Sequence, residues 1–195
     1  MREPDSAPRR RLTGLLALSA AARLATGLPA MLLPAAAAAA GPAARADGAR
    51  SLRLYAVNTR ERLEVVYWAD GRYLDDALAA CRRLLRDRRN NEQGDIDPRL
   101  LDLLHALARR LEAAEPIHVI SAYRSPATNA ARAATPGSGV ASDSLHVKGQ
   151  AIDIRIPGVK LEELRDAALA LGAGGVGYYP DSDFVHVDLG RPRRW

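Results

Sequence analysis

One cysteine, Cys81, in 195 residues removes two broad classes of protein at once. No intramolecular disulfide can form, and no metal site built from several thiolates can exist. Cys81 falls in an apolar-periodic stretch, where a lone cysteine reads as a small buried hydrophobe. Beyond the N-terminal region no run of 18 apolar residues occurs, so the mature chain is expected to be soluble. There is no internal repeat. A large charge excess is also missing from most of the chain, although Lys and Arg outnumber Asp and Glu by 28 to 23. Residues 1–46 hold six arginines against Glu3 and Asp5, so most of the net +5 sits there and the remainder is nearly neutral. A polyanion-binding surface is therefore not implied, and no nucleic-acid partner is expected. The basic run RRLLRDRR, residues 82–89, reads as a solvated helix face.

What is present begins with a leader. Arg9, Arg10 and Arg11 precede a moderately apolar stretch rich in Ala and Leu, and a small-residue segment follows. Ala44-Arg45-Ala46 fits a small-x-small cleavage site with Asp47 as the new first residue. The arginines before an only moderately apolar core resemble a twin-arginine export signal. Arg23 inside that core opposes a stable membrane span, because a mid-bilayer arginine costs at least ~2.5 kcal/mol. An uncleaved anchor and a disordered Ala/Pro tail are the competing readings. The expectation is an export signal over residues 1–46, a single domain over 47–195, and a periplasmic monomer that meets the membrane only during export.

In that domain LRLYAV (52–57) and RLEVVYW (62–68) alternate apolar and polar positions around NTRE, which predicts a hairpin. Ala77, Leu78, Cys81, Leu84 and Leu85 predict a helix over 75–88. Asp97 and Pro98 predict a capped helix running to about Ala114, with Leu100, Leu101, Leu104, Leu107 and Leu111 as its buried stripe. His105 on that helix reads as a surface or boundary residue. A strand over 117–122, a short helix from Pro126 to about Ala133, and a small-residue loop over 135–143 follow. Next come a strand over 151–156, a helix over 159–171, and two strands over 174–179 and 184–189 around Pro180-Asp181-Ser182. Helices early and antiparallel strands late give an α+β class, with a small antiparallel sheet packed against helices.

Three residues carry the chemistry. His146 is followed seven residues later by Asp153, and His186 lies far downstream. Asp153 sits between Ile152 and Ile154, and His186 between Val185 and Val187, so each polar side chain faces away from its apolar neighbours on a strand. A carboxylate in that setting is costly unless it is paired or bound to a metal. Pairing of the two strands would bring Asp153 and His186 together. Gly149 permits a sharp backbone path between His146 and the strand. Three ligands without cysteine leave a fourth position open, which is the pattern of a catalytic zinc site.

The stretch SLHVKGQAID, residues 144–153, matches the S-x-H-x-x-G-x-A-x-D signature of the LAS-type zinc peptidases. That superfamily contains D-alanyl-D-alanine carboxypeptidases, lysostaphin-like enzymes and the hedgehog domain. SAYRSPATN, GGVGYYP, FVHVDLG and the final RPRRW extend the resemblance across roughly residues 50–195, toward exported murein endopeptidases. The resemblance implies Zn2+ held by His146, Asp153 and His186, and Arg124 steadying the scissile carbonyl oxygen or a substrate carboxylate. Ser144 would contact substrate, and Tyr123 and Gln150 stand as further contact candidates, with Tyr178, Tyr179 and Lys148 nearby in the motifs. The general base is Asp183, at the D-x-x-H spacing of related enzymes, or Asp188, at H-x-D. Asp188 would otherwise orient a ligand from behind. The implied activity is cleavage of peptide cross-links in peptidoglycan. A carboxypeptidase or dipeptidase of the same superfamily, and a non-catalytic zinc-containing cell-wall-binding module, are the alternatives.

Overall fold

In the computed structural model, residues 48–137 and 141–195 are described. The leader expected over residues 1–46 lies outside them. Strand β1 (Arg50–Ala56) and strand β2 (Glu61–Ala69) form the expected hairpin, with Leu52 opposite Val65 and Leu54 opposite Leu63. Leu52, Leu54 and Ala56 are buried while Ser51 and Arg53 are exposed, the period-2 alternation of a sheet with one covered face. A two-residue strand, β3 (Arg72–Tyr73), follows the turn at Asp70-Gly71.

Helix α1 (Asp75–Leu84) stops earlier than its apolar period suggests. The following residues are engaged elsewhere: Leu85 accepts a hydrogen bond from the Tyr123 amide at 3.0 Å, and buried Asp87 receives the Ser125 amide at 2.9 Å. Helix α2 (Pro98–Arg110) starts as expected, with the Asp97 side chain accepting from the Arg99 amide. It ends four residues before Ala114. Glu112 adopts φ +47°, and the amides of Glu112 and Ala113 bond back to Arg109 and Ala108, which closes a Schellman motif without glycine. Leu111 is accordingly only half-buried, while Leu103 joins the buried stripe. His105 is half-buried and meets the Ser51 carbonyl oxygen at 2.9 Å.

Strand β4 (Ile117–Ser121) leads to helix α3 (Pro126–Ala133), capped by Ser125. Strand β5 (Ala151–Arg155), helix α4 (Leu161–Leu171), strand β6 (Gly175–Tyr179), a 3-10 turn at Pro180–Ser182, strand β7 (Phe184–Asp188) and strand β8 (Arg193–Arg194) complete the described chain. All eight strands form one sheet in the order β3-β2-β1-β4-β5-β7-β6-β8. The expectation of a small antiparallel sheet is corrected here. The N-terminal hairpin joins through a parallel β1–β4 pairing, and β8 adds a parallel edge to β6. The mixed α/β arrangement otherwise agrees with helices packed on a sheet.

One face of the sheet supplies Leu54, Ile117, Ile152, Ile154, Val185 and Val187 to a single core shared with Leu100, Leu104 and Leu107 of α2 and Leu164 of α4. Cys81 is fully buried in the same core, and burial pushes its thiol up to about 11. Among the described residues no helix is long and apolar enough to cross a membrane. The other face of β5 and β7 carries the polar residues treated next.

Candidate metal centre

Asp153 and His186 stand directly opposite each other in the antiparallel pairing of β5 with β7. Because Ile152 and Ile154 are committed to the core, the strand period forces Asp153 to the opposite face. The same holds for His186 between Val185 and Val187. His146 comes from the tight turns before β5. Gly149 has φ +63°, and a side chain there would run into the Asp95 carbonyl, so the close crossing of these segments requires glycine. The Gly149 carbonyl also accepts from the Asp97 amide at 3.1 Å.

The tautomer of His146 is assigned by its partner. Nδ1 of His146 donates to the Ala122 carbonyl at 2.7 Å, which leaves Nε2 as the free lone pair, 3.4 Å from Asp153 Oδ1. Both ring nitrogens of His186 face carboxylates, Nε2 at 3.2 Å from Asp188 Oδ2 and Nδ1 at 2.8 Å from Asp153 Oδ1; a metal on Nδ1 would leave Nε2 as the donor to Asp188. One atom from each of the three residues falls within 4.8 Å of the others. Ligand atoms arranged tetrahedrally at zinc distances lie roughly 3.3 Å apart, so the donor set fits one small divalent ion. A carbonyl behind one histidine and a carboxylate behind the other is the outer arrangement that orients metal-ligating imidazoles.

The carboxylates and imidazoles also shift one another's ionisation. Burial would raise the Asp153 carboxyl, but the adjacent His146 and His186 imidazoles outweigh it and hold the group well below the usual carboxylate range. Burial would lower His186, and its bonds to Asp153 and Asp188 raise it instead. Asp188 is fully buried and is likewise held well below the ordinary range, by His186, the amides of Gly175 and Gly190, and Arg193.

Arg124 is 5% exposed and reaches the same cleft, whose volume is about 280 Å³. Its Nη1 donates to Asn129 Oδ1 at 3.1 Å, while its buried Nε has no hydrogen-bond partner. Burial and the neighbouring Arg132 cation lower its pKa, yet a guanidinium stays charged. Its backbone is tied in as well, since the Arg124 amide donates to the His146 carbonyl at 3.2 Å. The positive charge is thus fixed beside the triad with donors to spare.

Of the other candidates, Ser144 lines the cleft, and its hydroxyl accepts from the His146 amide at 3.3 Å. Tyr179 also lines it. Tyr123 and Gln150 are not brought there. The Tyr123 hydroxyl donates to Glu92, and the Gln150 amide donates to Asp97, so both side chains engage the segment before α2. Lys148 pairs with Asp143, and Tyr178 bonds Glu162 on α4. The two aspartates beside His186 differ sharply. Asp188 lines the cleft, whereas Asp183 takes φ +53° after the 3-10 turn, leaves its side chain 60% exposed and pairs with Arg155. Sequence reasoning missed Arg132, Asp143, Phe184, Arg193 and Trp195, which also line the cleft. For Phe184 a signal existed, because it lies two residues before His186 on one strand, and residues two apart on a strand share a face.

The fold and cleft define a mixed α/β protein with a His/Asp/His triad that could hold a metal ion, flanked by a buried arginine. The model of the family described as peptidoglycan L,D-endopeptidase MepK matches residues 44–195, and the chain belongs to that family. It is 44% identical over 147 residues to the peptidoglycan L,D-endopeptidase MepK of Escherichia coli K12, covering 75% of this chain and 80% of the relative. It is 40% identical over 147 residues to the probable peptidoglycan L,D-endopeptidase MepK of Haemophilus influenzae, covering 75% and 78%. No solved structure matches the chain significantly. The kinship drawn from SLHVKGQAID and FVHVDLG therefore holds at the level of the family.

Proposed function

We propose that this chain is a zinc-dependent endopeptidase that hydrolyses peptide cross-links of peptidoglycan, and that the bonds it cuts are of the L,D type named for its relatives. The single observation that carries the reading is the convergence of His146 Nε2, Asp153 Oδ1 and His186 Nδ1 beside the buried Arg124 guanidinium. Zinc held by those atoms would supply Lewis acidity at the scissile carbonyl and a lowered pKa for water.

The chain's own groups do the rest. The Ala122 carbonyl and Asp188 keep each imidazole turned so that its lone pair faces the metal position. Arg124 answers the negative charge that develops on the carbonyl oxygen, and its burial strengthens that interaction relative to water. Asp188 has both oxygens engaged by Gly175, Gly190, Arg193 and His186, which suits it to positioning rather than to accepting a proton. Proton transfer then falls to Asp183, exchanging its Arg155 partner for the attacking water. Asp183 immediately precedes Phe184, which lines the cleft. Peptidoglycan as substrate fits a periplasmic site reached through the export signal over residues 1–46, with a monomer as the working unit.

Isolated sacculi treated with the purified protein and zinc should release muropeptides, and a chelator should stop the release. Defined L,D- and D,D-cross-linked dimers decide the bond. Stoichiometric zinc binding without consumption of any cross-linked species would overturn the reading. Asp183→Ala should abolish turnover and keep the metal; retention of turnover would remove Asp183 as the base.

A further inference from the structure

Trp195 and Tyr179 are the two large apolar side chains left exposed among the described residues, 50% and 37% respectively. Both line the triad's cleft, and they touch, since the indole Nε1 donates to the Tyr179 hydroxyl at 2.7 Å. Tyr179 stacks on Phe184 at 4.6 Å between centroids, which makes a continuous aromatic rim. The indole centroid stands 5.3 Å from that of His186.

The ring is held in place rather than hanging from a loose end. The Trp195 amide donates to the Val176 carbonyl at 3.2 Å, and its own carbonyl accepts from Tyr178 at 3.0 Å. The Arg193 guanidinium lies 4.8 Å from the ring centroid. Gly177, directly opposite His186 in register, provides the space beneath, because a Cβ there would come within 2.7 Å of the indole. A fixed apolar plane exposed beside reactive groups marks a contact surface, since such area is otherwise kept from water.

We propose that the Trp195 indole is a substrate-contact platform that receives the aliphatic part of the peptide residue next to the scissile amide, which sets specificity for the cross-linked peptide. This rests on the reading of the cleft as a peptide-cleaving site. The Arg193 charge already on the ring disfavours a cationic side chain there, and Arg124 and Arg132 supply polar groups elsewhere in the cleft. Methyl or methylene surface is what the indole is left to take.

The test uses the full-length zinc-loaded protein carrying Trp68→Phe, which leaves Trp195 as the sole tryptophan. Stopped-flow mixing with a sugar-free cross-linked peptide should give a saturable change in Trp195 fluorescence, and the disaccharide alone should give none. The reverse pattern overturns the proposal. In kinetics with the natural background, Trp195→Ala should raise KM by about tenfold with kcat within about threefold, and Trp195→Phe should stay near the parent. Gly177→Ala, which keeps the indole but displaces it, should move KM in the same direction. Zinc content must be unchanged in all three. A loss of kcat together with zinc, or an unchanged KM in Trp195→Ala, overturns the proposal. A protein that cleaves no cross-link yet shows the peptide-dependent fluorescence keeps the platform and sinks the enzymatic reading. Cleavage with KM indifferent to Trp195 does the opposite.

Discussion

Arg193 grips Asp188 with both arms of its guanidinium, Nη2 at 2.7 Å from Oδ2 and Nη1 at 3.2 Å from Oδ1, while Asp188 receives His186 Nε2. An edge strand thereby reaches behind a metal-site histidine. Asp188→Asn keeps the shape but weakens the acceptor for His186. Metal affinity is expected to fall by roughly 10–100-fold, the usual effect of losing an outer-shell partner. Competition against a chelator of known affinity measures it. Full affinity with lost turnover would instead make Asp188 the proton acceptor.

Asp87 lies far from the triad in sequence and supports it through Ser125. Its carboxylate accepts from the Ser125 amide and hydroxyl and from the Arg89 amide, and Ser125 caps α3 directly after Arg124. Asp87→Ala leaves those buried donors without an acceptor. A stability loss of about 2–4 kcal/mol is expected in urea unfolding. At permissive temperature the variant should keep its zinc and lose kcat/KM, because Arg124 is no longer held in register. Loss of zinc in parallel would place the damage at the triad instead.

Acid should weaken the fold through Asp102 as well as Asp87. Asp102 accepts from Arg50 at 2.6 Å, Tyr73 at 2.6 Å and buried Tyr67 at 2.9 Å, tying α2 to β1, β2 and β3. Burial opposes ionisation, yet these donors hold the Asp102 carboxyl below its usual value, and Tyr73 is pushed up to about 12 by burial and by Asp102. A depressed folded-state pKa contributes stability that is present above the unfolded value of about 3.9 and is lost as pH falls through the folded one. The contribution of Asp102 to the unfolding free energy should therefore be constant from neutral pH to about 5 and decline below about 4. Asp102→Asn should make that decline shallower. An equally steep decline in the variant would exclude Asp102 as a contributor.

Helix starts were legible because their chemistry is local. Asp97-Pro98 and Ser125-Pro126 each show a cap and a first-turn proline in adjacent letters. The ends of α1 and α2 were not, whereas α3 and α4 end at Ala133 and Leu171 as expected. Glu112 closes α2 in a left-handed conformation where glycine is the usual signal, and α1 stops because Leu85 and Asp87 serve residues 123 and 125, about forty positions away. The triad was readable because β-branched neighbours on both sides of Asp153 and His186 fix which face each residue takes. The sheet's true width was not, since pairing Leu54 with Ile117 in parallel leaves no mark on either strand. Tyr123 and Gln150 engage Glu92 and Asp97, because motif proximity does not set the direction in which a side chain leaves the backbone.

The parallel β1–β4 contact has a consequence for how the chain folds. Closing Leu54 onto Ile117 spans roughly sixty residues, so its entropy cost is met only after α1 and α2 exist to fill the gap. The stretch from β4 onward is different, because β4-β5-β7-β6 are antiparallel neighbours, and they carry Asp153 and His186 while His146 comes from the turns just before β5. The chemistry is thus confined to the later-translated half of the domain. The earlier half supplies the hairpin and helices that complete the same sheet and core.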